Sequence, residues 1–197
     1  MDNWIMTYSG TPIAPLDPTP DDIKVVDIAH ALAMTCRWAG HCHTYYSVAE
    51  HSVRVADLCV ALGEKEGLSK AELKDLEMLG LMHDATEAYV GDIPRPIKSE
   101  FRLVTPRGVE TFREAEAHLY GVIVEALGLP EMTERYQEIV HLADNTVLST
   151  EARDIANPQS LDHEPNAPDP LPGKIHPMTW DKARLLFILR YQALVEG

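Results

Sequence analysis

Cysteine is scarce in this chain: three residues, Cys36, Cys42 and Cys59, odd in number and without a CxxC pair. That excludes a disulfide framework and a zinc ribbon, and it fits reduced thiols in a cytoplasmic protein. Long apolar runs are missing too, since no stretch approaches the roughly 18 residues of a membrane span. The opening MDNWIMTYSG lacks the basic n-region of a secretory leader. Positive charge is thin, with 17 Lys plus Arg against 31 Asp plus Glu and a net charge of −14. A nucleic-acid binder needs a basic face to displace counterions, and an anionic membrane needs the same, so neither partner is expected. A small phosphorylated substrate stays open, because a bound cation and a few basic side chains can meet its charge locally.

What is present is the composition of a globular protein: 197 residues, 45% hydrophobic and 24% charged, without internal repeats. The whole length, 1–197, is expected to form one domain. Four prolines between residues 9 and 22 forbid helix there and predict an extended arm over residues 1–26. Apolar periodicity then predicts helices at about Asp27–Trp38, Ser47–Gly63, Thr111–Leu127, Thr133–Asn157 and Thr179–Val195. The best-marked helix starts at a capping box, Ser69-Lys70-Ala71-Glu72, and is expected to run to Tyr89, ahead of Gly91, Pro94 and Pro96. Residues 158–178 hold six prolines and read as a surface loop. The expected class is all-α, a compact helical bundle with an N-terminal arm.

The sharpest chemical feature is Leu81-Met82-His83-Asp84-Ala85-Thr86-Glu87. It sets an imidazole beside a carboxylate at the end of an apolar helix. An ionised Asp buried there is costly unless a cation or hydrogen bonds compensate it. Both groups are good ligands for first-row divalent metals. Glu87, four residues after His83, is placed to meet a metal-activated water. His51 in AEHS and Asp144 in LADN lie in predicted helices among small or apolar neighbours, and are candidates to complete the ligand set. His141, one turn before Asp144, reads as a surface or supporting residue. His41 and His43 lack the second pair a zinc finger needs, and Tyr45 and Tyr46 read as packing.

The order H…HD…D resembles the HD-domain phosphohydrolases. Arg37-Trp38 before AEHS, then HDATE, Gly91-Asp92-Ile93-Pro94, Pro96-Ile97-Lys98 and LADN, is similar to the YfbR-type 5′-deoxynucleotidases and the phage dATP triphosphohydrolases of the DatZ type. The resemblance spans about residues 25–152. It implies that His51, His83, Asp84 and Asp144 bind a divalent ion (Co²⁺, Mn²⁺, Mg²⁺ or Zn²⁺), and that Glu87 serves the catalytic water. It further implies that Asp92 lies beside the reacting phosphate and that Arg37 and Trp38 contact the nucleotide. Lys98 follows the family's PxPxK pattern; it and Arg95 are candidates to meet phosphate oxygens, with ordinary surface charge as the alternative. The implied activity is deoxynucleotide hydrolysis, with dATP giving deoxyadenosine and triphosphate. The alternatives are a 5′-nucleotidase acting on deoxynucleoside monophosphates and a non-catalytic nucleotide-sensing module. A homo-oligomer, dimer or hexamer, is expected.

Overall fold

A computed structural model describes residues 3–196, so the first two residues of the expected arm and the last residue of the chain lie outside the described residues. Among those described there are eight α-helices: α1 (Val25–Met34), α2 (Val48–Lys65), α3 (Lys70–Met82), α4 (Glu87–Val90), α5 (Arg95–Lys98), α6 (Phe112–Leu127), α7 (Glu134–Asp154) and α8 (Trp180–Glu196). Two hairpins accompany them, β1 (Ile5–Met6) with β2 (Pro12–Ile13) and β3 (Arg102–Thr105) with β4 (Gly108–Thr111), both antiparallel. The all-α class holds. None of the described helices is long and apolar enough to cross a membrane.

Local chemistry sets most of the helix starts. Ser47, Ser69, Thr111 and Thr133 each accept a hydrogen bond from a backbone N–H in the first turn, and Ser69/Glu72 and Thr111/Glu114 close capping boxes. Gly128, in the left-handed conformation at φ 60°, ends α6. The core has two main parts. One joins α1, α2, α6 and α8 through Ile28, Leu32, Ala49, Ile123 and Phe187; the other joins α2, α3 and α7 through Val55, Leu76, Leu79, Ala143 and Val147.

Helix α2 lies in the middle, packed on α3 and α7, and α3 comes close to it at Gly80. A Cβ there would stand 2.8 Å from Cys59 Sγ and 3.1 Å from the Ala56 backbone. Helix propensity alone favours Ala over Gly by about 1 kcal/mol. Overpacking against backbone costs about 1–3 kcal/mol and wins. Gly80→Ala is therefore expected to lower the melting temperature by a few degrees; a higher value in differential scanning fluorimetry would refute this packing.

Two expectations need correction and two gain detail. Helix α1 stops at Met34 rather than Trp38, because Cys36 leaves the helix to bridge Ser47 and the Arg37 N–H donates to the Tyr46 carbonyl (2.9 Å). Helix α3 ends at Met82 rather than Tyr89. From there bonds from Ala85 to Met82, Glu87 to Asp84 and Tyr89 to Thr86 replace the α-helical spacing with the tighter i→i−3 one. The arm is no plain extended segment; it folds as the β1–β2 hairpin, a 3₁₀ turn at Pro20–Asp22 and an anchor from Ser9 to Asp27 (2.6 and 2.8 Å). The late loop includes a 3₁₀ turn at Pro158–His163 and is tied down where Arg153 donates to the Leu171 and Gly173 carbonyls and Met178 N–H donates to Glu50. The β3–β4 hairpin and helix α5 had no sequence expectation.

Candidate metal centre

The tightened turn after α3 brings His83 and Asp84 against α2 and α7. His51 Nε2 and His83 Nε2 face each other at 3.3 Å. Asp84 Oδ2 lies 3.6 Å from the first and 3.2 Å from the second; Asp144 Oδ1 lies 3.2 Å from His51 Nε2 and 4.0 Å from His83 Nε2. One ligand atom each from His51, His83 and Asp144 fits within a 4.8 Å span, which makes this a group that could hold a metal ion. Asp84 adjoins it through both imidazoles.

The outer nitrogens are already committed. His51 Nδ1 pairs with Glu151 Oε1 (2.7 Å), and His83 Nδ1 donates to the Gly80 carbonyl (2.8 Å), which can only accept. Both Nε2 atoms are thereby turned inward, where their lone pairs would oppose each other without a cation between them. A His ligand whose other nitrogen donates to a carboxylate or carbonyl is the usual support for a metal ligand. Nitrogen and carboxylate donors with no sulfur suit Zn²⁺, Co²⁺ and Mn²⁺. The residues fit a divalent ion.

Protonation tells the same story. Burial and Arg37 oppose charging of His51, yet Glu151 and Asp144 prevail and lift its pKa to about 9. Burial likewise opposes Asp84 and Asp144, but the imidazoles hold both carboxyls well below the usual range. The carboxylates demand positive charge here, and a divalent cation supplies it in competition with those protons.

Around this centre stand the other expected residues. Glu87 opens α4 and is almost fully buried. Its Oε1 accepts from Lys98 (3.3 Å), while its Oε2 is buried without a partner. Burial, then Asp84 and Asp92, push its pKa up to about 8. Asp92 follows Gly91, half-buried, its pKa raised by burial and by Asp84 while Arg37 and Lys98 counter. Arg37 is buried, with Nη1 3.6 Å from Asp84 Oδ2. Trp38 follows it in a turn where Trp38 and Ala39 take positive φ (60° and 49°), a strained conformation for non-glycine residues. Arg95 is largely exposed and donates to Asp144 Oδ2 (3.3 Å) and Asn145 Oδ1 (3.4 Å). Lys98 donates also to Glu116 (3.0 Å). All ten residues named for the site thus lie in one region.

The model of the 5′-deoxynucleotidase YfbR-like family matches residues 25–157. The chain belongs to that family. It is 37% identical over 153 residues to the uncharacterized protein YfdR of Escherichia coli K12, covering 78% of this chain and 72% of that one. It is 32% identical over 160 residues to an uncharacterized protein of Rhodobacter capsulatus, covering 78% and 73%. In fold it is similar to the cyanophage S-2L HD phosphohydrolase DatZ, solved bound to dA and one catalytic Zn²⁺ ion: TM-score 0.53, 16% identity, 86% of this chain and 96% of that one. This member of the YfbR-like family has the fold of an HD phosphohydrolase.

One residue of this YfbR-like site escapes the motif reading. Glu151 is fully buried on α7 and joins His51 Nδ1, Arg37 Nε (3.0 Å) and Trp38 Nε1 (3.2 Å). Its signal is present in the sequence: it lies seven residues, two turns, after Asp144, on the same side of the helix. A carboxylate in that register with a ligand is hard to justify as a solvated charge. His141 is exposed on α7 and His41 and His43 are exposed in the turn; of the two tyrosines expected to pack, Tyr46 is buried and Tyr45 is exposed.

Proposed function

We propose that this protein hydrolyses deoxynucleotides at a divalent ion held by His51, His83, Asp84 and Asp144, and that its substrate is dATP, released as deoxyadenosine and triphosphate. The carrying observation is the pair of inward-facing Nε2 atoms flanked by Asp84 and Asp144, with both outer nitrogens tied back. A divalent ion held by these four residues would supply an acidified water and Lewis-acid polarisation of the phosphoryl oxygen.

The chain's own groups carry the rest. The free Oε2 of Glu87 accepts a proton from the attacking water, and Asp92 helps orient that water. Arg37 and Lys98 meet the phosphoryl oxygens as charge builds on them. The water oxygen bonds to the α-phosphorus, the bond from phosphorus to the 5′ oxygen breaks, and that oxygen takes a proton to leave as the nucleoside hydroxyl. Support for a triphosphate comes from a cavity of about 420 Å³ whose border sets Arg95, Lys98 and Arg113 against the one carboxylate of Glu116. The dA bound to DatZ is consistent with an adenine substrate. The second reading, a 5′-nucleotidase of deoxynucleoside monophosphates, is favoured by the family description. We expect the working protein to be a cytoplasmic homo-oligomer acting on free nucleotides rather than on nucleic acid.

One assay separates the readings. Purified protein is incubated with Co²⁺ or Mn²⁺ and panels of dNTPs and dNMPs, and the products are resolved. Triphosphate from dATP supports the proposal; inorganic phosphate from dAMP alone supports the second reading. Tight nucleotide binding without turnover would leave a sensing module. Asp84→Ala is expected to abolish metal binding and activity together, and a fully active variant overturns the ligand assignment.

A further inference from the structure

Two thiols stand outside the metal chemistry. Cys36 and Cys42 are half-buried, and their Sγ atoms lie 3.5 Å apart. Cys42 Sγ also donates to the Arg37 carbonyl at 3.9 Å. The third cysteine, Cys59, is fully buried on α2 against Gly80, where burial pushes its thiol up to about 12. The thiolate is the reactive form, so Cys59 is inert beside the other two.

The pair brackets one turn. Cys36 bridges Ser47, and the Arg37 N–H donates to the Tyr46 carbonyl (2.9 Å), which closes the segment at its base. Within it the Gly40 and His41 N–H groups donate to the Arg37 and Trp38 carbonyls (3.1 and 2.8 Å). The His43 N–H donates to the Ile155 carbonyl at the end of α7 (2.8 Å). These bonds fix the backbone on both sides of each cysteine, so the folded turn itself brings the two sulfurs together. Between them lie Arg37, which meets Asp84 and Glu151, and Trp38, which meets Glu151 and borders a cavity of about 880 Å³. A cross-link from Cys36 to Cys42 would span the left-handed backbone of Trp38 and Ala39.

We propose that Cys36 and Cys42 form a reversible disulfide by exchange with a small-molecule disulfide, and that this bond clamps the turn carrying Arg37 and Trp38. With glutathione disulfide, the Cys36 thiolate bonds to one sulfur of the reagent. The reagent's S–S bond breaks, and the first glutathione takes a proton and leaves as a thiol. Cys42 then gives its proton to water and bonds to Cys36 Sγ, and the second glutathione leaves in the same way. Two protein thiols are oxidised and one disulfide is reduced to two thiols. Burial, then Cys36, pushes the Cys42 thiol up to about 11. That suits Cys42 to the second attack, where contact with its target offsets a small thiolate fraction. In a reducing compartment such bonds are transient and redox-sensing rather than structural, which agrees with thiols in the resting protein.

The test incubates native protein with glutathione disulfide, blocks remaining thiols and maps the products by mass spectrometry. The expected product is a peptide with Cys36 and Cys42 lighter by two hydrogen atoms, restored by dithiothreitol, with Cys59 still a thiol. Closing a seven-residue loop should raise the melting temperature by about 5–10 °C. Amide hydrogen exchange across residues 37–46 should slow several-fold in the oxidised protein. In Cys42→Ser the reaction should stop at one glutathione on Cys36, with neither the rise nor the slowing. Glutathione retained on both cysteines, or no reaction at either, overturns the pair. An internal disulfide that leaves both melting temperature and exchange unchanged overturns the clamp. None of these readouts requires turnover, so they decide the proposal whatever the substrate assay shows.

Discussion

Glu151→Ala is expected to weaken divalent-metal binding about 10–100-fold and to lower the melting temperature of the metal-free protein by about 6–20 °C. The first effect follows from His51, which loses the carboxylate that fixes its Nδ1 and so the inward aim of its Nε2. The second follows from Arg37. Arg37 is 8% exposed, and without Glu151 the remaining carboxylate paired with it is Asp84 at 3.6 Å. Breaking a buried pair by removing one partner costs about 3–5 kcal/mol, because a charge is left buried without compensation. A domain of this size loses about 2–4 °C per kcal/mol. Glu151→Gln separates the two causes. It keeps the volume and one acceptor but lacks the charge, so it should fold better than the Ala variant while still binding metal weakly. Isothermal titration with Zn²⁺ or Mn²⁺ beside calorimetric unfolding checks both. Wild-type metal affinity in both variants would show that the carboxylate supports only the fold.

Glu87→Gln is expected to lower kcat by about 10²–10⁴-fold with metal affinity little changed. Gln is nearly isosteric and can still accept from Lys98, but it cannot take a proton from water. The same substitution should alter stability in the opposite sense. Burial and two neighbouring carboxylates raise the Glu87 pKa to about 8, above its unfolded value near 4.5. The folded protein therefore binds more protons than the unfolded chain between those values, and stability declines as pH rises from about 4.5 through 8. Below that window the protonated carboxyl contributes in full; above it, the folded protein must carry a buried, repelled carboxylate. In metal-free protein Glu87→Gln should lack this decline and exceed the wild type in melting temperature at pH 9. A variant that is both fully active and no more stable at pH 9 would remove Glu87 from the reaction and from the acidic cluster at once.

A residue that costs the fold and serves the chemistry is the expected signature of an active site, and these two outcomes test Glu87 for both. The same trade is visible in the left-handed backbone of Trp38 and Ala39. That turn is strained, yet it delivers Trp38 Nε1 to Glu151 and the indole to the edge of the large cavity.

Much of this could be read along the chain because its causes are local. Ser47, Ser69 and Thr133 cap helices by bonds three residues away, and apolar periodicity marks the faces that pack, so most helices begin and end near their expected places. His83 and Asp84 are adjacent, and their chemistry is legible in the dipeptide. Its partners were legible only through the order of the motifs, since nothing near His51 or Asp144 says what they face. The failures have non-local causes. Periodicity carries α1 through Cys36, but a backbone bridge to Ser47 outweighs one more helical turn. It carries α3 through His83, but the turn tightens there to i→i−3 bonds and His83 spends its Nδ1 on Gly80. Glu151 lies 100 residues from His51, and no local pattern predicts that pair.

By itself, then, the sequence determined the helical class, the caps and the acidic balance, and it named candidates for the groups that hold a divalent ion. Those properties depend on side-chain chemistry and short-range spacing. Only the tertiary structure decided that His51, His83 and Asp144 converge within 4.8 Å, and that Glu151 ties that cluster to Arg37 and Trp38. It alone made Arg95 common to two cavities, of about 880 Å³ and about 420 Å³. The reason is physical: convergence of groups from α2, α3 and α7 depends on how three helices pack, and packing is set by contacts between residues far apart in the chain.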